Sequence, residues 1–236
     1  MSHSRRYGVR VCGRYVIAQD VDAYARFFGV DEIRNEMLEA NYNVAPTDPV
    51  YAVVDHENRR LLGTFRWGLI PFWAKSPTGG QINARAESVA TKAMFRDSFA
   101  RRRCIIPADG FFEWEQLERG KLPHYIYLKD GSPMAFAGVW STWRDPETGD
   151  RIRSCSIITT NAHPMLAPIH GRMPVMLDPA VWDDWLDRNL TDPDQAQTLL
   201  RSVPETEISE HAVSTLVNNV RNNFPECVAP LPDRSP

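Results

Sequence analysis

Short runs of β-branched and aromatic residues, several of them separated by turns too brief to hold a crossover helix, dominate this 236-residue chain. Residues 49–55 (PVYAVVD), 60–69 (RLLGTFRWGL), 124–129 (HYIYLK), 133–140 (PMAFAGVW), 152–160 (IRSCSIITT) and 172–177 (RMPVML) predict strands. Asp130-Gly131 between two of them predicts a hairpin turn. A parallel neighbour needs a connection of about a dozen residues or more, so these spacings favour an α+β fold over a regular βαβ repeat. Helical signals are fewer. Asp20 ahead of VDAYARFF with Gly29 behind it reads as a capped helix with a glycine stop. Asp178-Pro179 and Asp192-Pro193 each open a further helix, because proline at the first helical position loses no hydrogen bond. One more helix is expected from Glu87 to Arg101.

At 43% hydrophobic and 24% charged residues the composition excludes disorder as the main state. No apolar run approaches the roughly 20 residues of a membrane span, and Met1 to Val11 lacks a signal-peptide core, so a cytoplasmic protein is expected. The organisation expected is an extension at 1–11, a single domain at 12–228 and a flexible tail at 229–236, acting as a monomer. Cys12, Cys104, Cys155 and Cys227 form no C-x-x-C pair, which argues against a disulfide framework and a thiolate metal site. No cofactor site is read from the sequence.

The net charge of -3 hides a local excess. From Arg59 to Arg103 ten basic residues stand against Glu87 and Asp97, a balance of +8, interleaved with Phe65, Trp67, Phe72 and Trp73. Cations for phosphates and rings for unstacked bases are what a single-strand platform needs. From charge alone a solvated helix face over core aromatics is the better-supported of the two readings.

The chain holds no G-x-S-x-G elbow, H-E-x-x-H, P-loop or G-x-G-x-x-G. It holds instead polar groups set among residues that ought to be buried: CGRY (12–15), NYNVAPT (41–47), RWGLIPFWA (66–74), INARAES (82–88), RCIIPADGFFEW (103–114) and IHGRMPVML (169–177). Polar groups desolvated in this way are hydrogen-bonded or functional. Taken together and in this order, the segments from Cys12 to Leu177 closely resemble the SOS-response-associated peptidase (SRAP) family of abasic-site-processing proteins. The resemblance implies a single-domain mixed α+β fold around a bifurcated, barrel-like sheet, a positively charged DNA groove, and covalent capture of abasic sites in single-stranded DNA. Associated AP-lyase and crosslink-reversal activities go with it.

The chemistry suits the residues. An opened abasic deoxyribose presents an aldehyde, and an N-terminal cysteine presents an amine and a thiol on adjacent carbons, so the two close a five-membered thiazolidine. An α-amine of pKa about 7.8 is about one-third neutral at pH 7.5, against roughly 0.1% for a lysine. A thiol of pKa about 8.5 is partly ionised at that pH as well. By resemblance the catalytic set is Cys12, Glu113, His170 and Asn43. Glu113, between Phe112 and Trp114, has apolar surroundings suited to a general acid/base. His170 would assist imine chemistry, strand cleavage or reversal, and Asn43 would hold the opened sugar or the cysteine amine. Alone, each has a structural reading: a salt-bridged strand carboxylate, a satisfied histidine, an Asx-turn before Pro46. Arg14 and Arg85 resemble phosphate clamps, supported by Asn83, with salt bridges to Asp20 or Glu87 as the alternative. Trp67, Phe72 and Trp73 resemble a stacking or wedge surface, and Thr159 or Thr160 lines the pocket.

The sequence departs from the family where Cys12 follows eleven residues rather than the initiator Met. In a peptide bond its nitrogen is an amide and forms no imine. A start at Val11, read from a GTG codon and followed by removal of Met, would leave Cys12 first. Self-cleavage between Val11 and Cys12, or retention of an inert cysteine, are the other routes. The competing functions are a cysteine peptidase using Cys12, His170 and Glu113, and a non-covalent single-strand binding module.

Overall fold

The computed structural model describes residues 13–34 and 37–232. Its strands begin with β1 (Arg14–Ile17), β2 (Glu32–Ile33), β3 (Asn41–Val44), β4 (Pro49–His56), β5 (Arg59–Trp67) and β6 (Asn83–Arg85). They continue with β7 (Arg103–Ala108), β8 (Gly110–Gln116), β9 (Lys121–Leu128), β10 (Met134–Arg144), β11 (Arg151–Asn161), β12 (Arg172–Pro174) and β13 (Ile208–Ala212). The helices are short: α1 (Val21–Phe27), α2 (Ala86–Val89), α3 (Arg96–Arg101), α4 (Trp182–Leu186) and α5 (Pro193–Thr198). The fold is mixed α+β and mostly sheet, as expected.

Five strands close a barrel. β5, β4, β7, β10 and β11 pair antiparallel in that order, and β11 returns to β5 in parallel, with Ser154 opposite Arg66 and Cys155 opposite Trp67. Closure removes the free edges that an open sheet would expose. The other sheet stays open in the order β13-β9-β8-β1-β3, every pair antiparallel. β7 belongs to the barrel and β8 to the open sheet, and only Asp109 separates them, so the sheets bifurcate at one residue. The Asp109 carboxylate accepts from Ala18 N at 2.6 Å, Gln19 N at 3.2 Å and Tyr24 Oη at 2.9 Å, fixing that corner. Burial raises its pKa despite these donors.

Three aromatic contacts weld the layers. Tyr15 of β1 meets Trp67 edge-on at 4.9 Å and Phe136 of β10 at 6.0 Å; Phe111 of β8 meets the same Phe136 at 5.9 Å. At Gly110 an added Cβ would lie 2.5 Å from Ile126 O and 2.6 Å from the Tyr125 ring, so only glycine lets β8 approach β9 there.

Several expectations need correction. Asp20 precedes α1 without a side-chain cap, although Gly29 does end the turn at φ 61°. Asp178 and Asp192 do cap, accepting from Ala180 N and from Asp194 and Gln195 N. The helix expected over Glu87–Arg101 is two short ones, because the turn at 90–95 swings Phe95 and Phe99 into the core. Asp130-Gly131 forms a turn, Gly131 N–H donating to Leu128 O, but no hairpin: β9 joins the open sheet and β10 the barrel. The strand expected over 172–177 is regular only to Pro174, then continues as the bridge from Met176 to Phe136. Part of the tail is held, with Pro230 bridging Val213 and Leu231 N–H donating to Ala212 O. Among the described residues no helix is long and apolar enough to cross a membrane.

Candidate functional site

β1 pairs with β8 so that Arg14 lies opposite Phe112 and Tyr15 opposite Phe111. Gly13 and Glu113 each adjoin this Arg14–Phe112 pair in sequence. Strand alternation puts Glu113 on the face of Phe111, toward the barrel, and Arg14 and Trp114 on the other. Cys12 and the extension at 1–11 lie outside the described residues. Glu113 is nevertheless next to their point of attachment, and it is 3% exposed.

His170 meets Glu113 from the barrel side, its Nδ1 4.0 Å from Oε1. The same Nδ1 is 3.1 Å from the Arg172 N–H and 3.2 Å from the Arg172 carbonyl. An unprotonated Nδ1 accepts from the first, and a protonated one donates to the second, so the ring keeps a partner on either side of a proton transfer. Arg172 is itself anchored: its guanidinium bonds both carboxylate oxygens of Glu87, Asn161 Oδ1 at 2.9 Å and Thr159 O at 2.6 Å. The Arg172 hydrogen bond holds the Glu87 pKa below the ordinary carboxylate range.

A pocket of about 610 Å³ opens on the other side of Gly13, lined by Arg14, Ala45, Pro46, Thr47, Asp48, Trp114 and Val220. Thr47 has φ 83°, in the left-handed region that a β-branched residue avoids. Ties on either side of it impose this: Thr47 N–H to Trp67 O, Trp67 N–H to Asp48 O, and Ala45 N–H to the Asp48 carboxylate. Strain of this kind persists where surroundings over-determine it, which is typical of a functional turn. Burial lowers the Arg14 pKa, with Asp48 opposing; an arginine still keeps its charge at neutral pH.

The sequence-predicted residues divide sharply. Two pairs form: Arg14 bonds Asn43, and His170 meets Glu113; Asn43 is enclosed by protein groups. It is 1% exposed, its Oδ1 accepts from Arg14 and its Nδ2 faces three backbone carbonyls. Arg14 bonds Asn43 Oδ1 and Val217 O rather than Asp20, and Glu87 pairs with Arg172 rather than Arg85, leaving Arg85 exposed on β6. Asn83 and Arg85 lie on β6 beside β11, where Arg85 registers with Thr159. Thr159 is buried, its hydroxyl 3.4 Å from Ala84 O, whereas Thr160 is half-buried. Of the two, Thr160 is the one that keeps some exposure. Phe72 and Trp73 are 56% and 54% exposed on the loop leading to β6, held by Trp143 Nε1–H donating to Ala74 O. Trp67 is 0% exposed and donates to Ile82 O, so it is core and not a stacking surface.

The basic stretch is likewise no single platform. Arg103 is buried and donates to carbonyls at the ends of α3 and α4, and desolvation pushes its pKa down to about 10. Arg60 is tied to Phe28 O and Asp183, and Arg66 to Gly68 O. Lys75, Arg85, Lys92 and Arg101 remain exposed. Among the described residues no group of three or more His, Cys, Asp or Glu is arranged to hold a metal. Cys104 and Cys155 are fully buried in the barrel, where desolvation raises both pKa values and disfavours the thiolate. Cys227 is buried too.

Sequence reasoning gave Glu87 only a salt-bridge alternative with an arginine other than Arg172, and assigned no role to Arg172, Trp114 or the segment 214–223. The first three stand inside the quoted motifs, but their partners are distant in sequence. The last has only a local excess of asparagine as a signal.

Comparison with known proteins adds an independent line. The family model described as SOS response associated peptidase (SRAP) matches residues 11–220. The chain is 39% identical over 222 residues to the abasic site processing protein YoqW of Bacillus subtilis (strain 168), covering 92% of this chain and 99% of that one. It is 32% identical over 226 residues to the abasic site processing protein YedK of Escherichia coli (strain K12), covering 94% and 100%. The abasic site processing protein HMCES of Xenopus tropicalis is 32% identical, over 84% of this chain and 68% of its own. A crystal structure of a protein from Bacteroides thetaiotaomicron superposes with a TM-score of 0.83 at 26% identity, covering 93% of this chain and all of that one.

Proposed function

The chain belongs to the SOS response associated peptidase (SRAP) family, and from that premise we propose that it captures abasic sites in single-stranded DNA through Cys12 as a free N-terminal residue. The amine of Cys12 adds to the aldehyde carbon of the opened sugar and water leaves, giving an imine. The thiol sulfur then bonds to the same carbon while its proton goes to the nitrogen, closing the thiazolidine. Each step moves a proton, and Glu113 with His170 supplies and receives them. A positioned acid/base of this kind contributes about 10²- to 10⁴-fold in rate. Arg14 and Arg85 engage phosphates, Asn83 and Thr160 line the groove, and Phe72 and Trp73 offer rings to unstacked bases.

The observation that carries this reading is the position of Gly13, which lines the Arg14 pocket and adjoins the Arg14–Phe112 pair that Glu113 follows. A nucleophile joined to Gly13 is adjacent both to an acid/base pair and to a guanidinium. The buried thiols of the barrel offer neither. The printed names of the relatives support the substrate class.

The test uses a uracil-derived abasic single-stranded oligonucleotide and a denaturing gel. A chain beginning at Cys12 gives a shifted, stable band, and the same chain acetylated at its N terminus gives none. Crosslinking by material whose intact mass retains Met1 to Val11 overturns the proposal.

A further inference from the structure

The wall of the Arg14 pocket includes a segment with little regular structure, Ser214 to Asn223, whose Val220 is 53% exposed at the mouth. Side chains from two open-sheet strands hold it. Asn43 Nδ2 lies 3.2 Å from Val217 O, 3.0 Å from Asn219 O and 2.9 Å from Asn222 O, while Asn43 Oδ1 accepts from Arg14 Nη1 at 2.8 Å. Arg14 Nη1 also donates to Val217 O at 2.8 Å, and Nη2 reaches Asn218 O at 3.5 Å. Two outer ties add to these: Trp114 Nε1–H to Asn218 Oδ1 at 2.7 Å and Tyr42 N–H to Asn223 Oδ1 at 2.7 Å.

A primary amide has two N–H hydrogens, and three carbonyls already compete for those of Asn43. Resting on the reading that this pocket receives DNA, we propose that Asn43 is a positioning residue: its amide pins Val217–Asn222 onto β3 and thereby aims Arg14 and sets Val220 at the pocket mouth. The physical reason is charge. Three converging carbonyl oxygens repel one another unless a donor lies among them, and orphaned acceptors at a buried point are costly. With the loop pinned, Val217 O holds one end of the guanidinium. The long contact to Asn218 O is then the one that a phosphate oxygen displaces.

Asn43→Asp keeps the shape and the acceptor for Arg14 but sets a carboxylate oxygen against the three carbonyls. In the full chain without DNA, hydrogen exchange of the 214–223 amides accelerates tenfold or more, while the barrel strands β4 and β5 keep their protection. Affinity for a single-stranded oligonucleotide carrying a tetrahydrofuran abasic analogue, read by fluorescence anisotropy, falls about tenfold, and Arg14→Ala gives a similar loss. The double variant loses no more than about two- to threefold beyond either single, because Asn43 acts through Arg14. If Asn43→Asp fails to fold, Asn218→Ala, which removes only an outer tie, gives the same pattern at about threefold.

Losses that multiply in the double variant, or weaker binding with loop exchange unchanged, overturn the proposal. So does a loop loosened by Asn218→Ala with affinity unmoved. If the unsubstituted chain shows no affinity for the oligonucleotide, the DNA reading fails separately, and loop exchange alone decides whether Asn43 is the tie.

Discussion

The barrel and the open sheet bury polar groups equally well and use them differently. Cys104 and Cys155 are 0% exposed, and Glu113 is 3% exposed. Inside the barrel the thiols face apolar strands, burial raises their pKa values, and the reactive thiolate is suppressed. On the open sheet Glu113 has His170 at 4.0 Å and adjoins Phe112, whose strand partner Arg14 lines a pocket. Burial alone makes a group inert; burial with a proton partner and an opening makes it chemically useful.

The contrast is broken most severely from the barrel side. Trp67→Ala removes the ring that joins β5 to Tyr15 of the open sheet, and about 3–5 kcal/mol of stability goes with it, measurable by denaturant unfolding. Oligonucleotide affinity per folded molecule stays unchanged, because the ring is not at the surface. A specific loss of stacking would return Trp67 to the groove.

Glu113→Gln tests the open sheet. It keeps size and removes the ionisable proton, so the rate of adduct formation falls about a hundredfold, with stability altered far less. Equal rates for the two proteins would leave the proton transfers to His170 or to water.

Trp73→Ala separates the exposed loop from both layers. Affinity for undamaged single strands falls by about 1–3 kcal/mol if a base stacks there, while melting temperature moves little. The complementary result, lost stability with unchanged affinity, would assign the ring to packing.

Glu87→Gln gives the smallest effect and a pH signature. The Glu87 pKa is depressed in the folded chain, so its pairing with Arg172 contributes fully above the ordinary value near about 4.3 and is lost as pH falls through the depressed one. Because Glu87 is half exposed, the stability difference from wild type stays below about 1 kcal/mol at pH 7 and vanishes once the pH lies well below the depressed value. A difference that persists in acid would show that the carboxylate charge is not its source. Adduct formation slows more than stability changes, since Arg172 supports His170.

Much of the barrel was legible because alternating β-branched and aromatic runs survive any tertiary context: 49–55, 60–69, 133–140 and 152–160 all fall on its strands. The open sheet was less so. β1, β3 and β8 are short or interrupted by glycine and polar residues, and those interruptions are the site itself. The segments stood out as polar groups among apolar ones, which marked function before it marked strands. Charge misled where Arg60, Arg66 and Arg103 turn inward to carbonyls, since a guanidinium that satisfies backbone oxygens looks in sequence like one awaiting a phosphate. The aromatic pair was legible in kind but not in place: Trp67 and Trp73 lie six residues apart, one sealed and one open.

The chain by itself determined the class of fold and the cysteines' lack of pairing motifs, because local pattern is written in order along it; Glu113 and His170 were singled out by resemblance to the family. Only the tertiary structure decided which residues meet: β8 with β1, His170 with Glu113, and Asn43 with a loop more than 170 residues away. The physical reason is that hydrogen bonds and desolvation act through space over a few ångströms, and sequence separation carries no record of that distance.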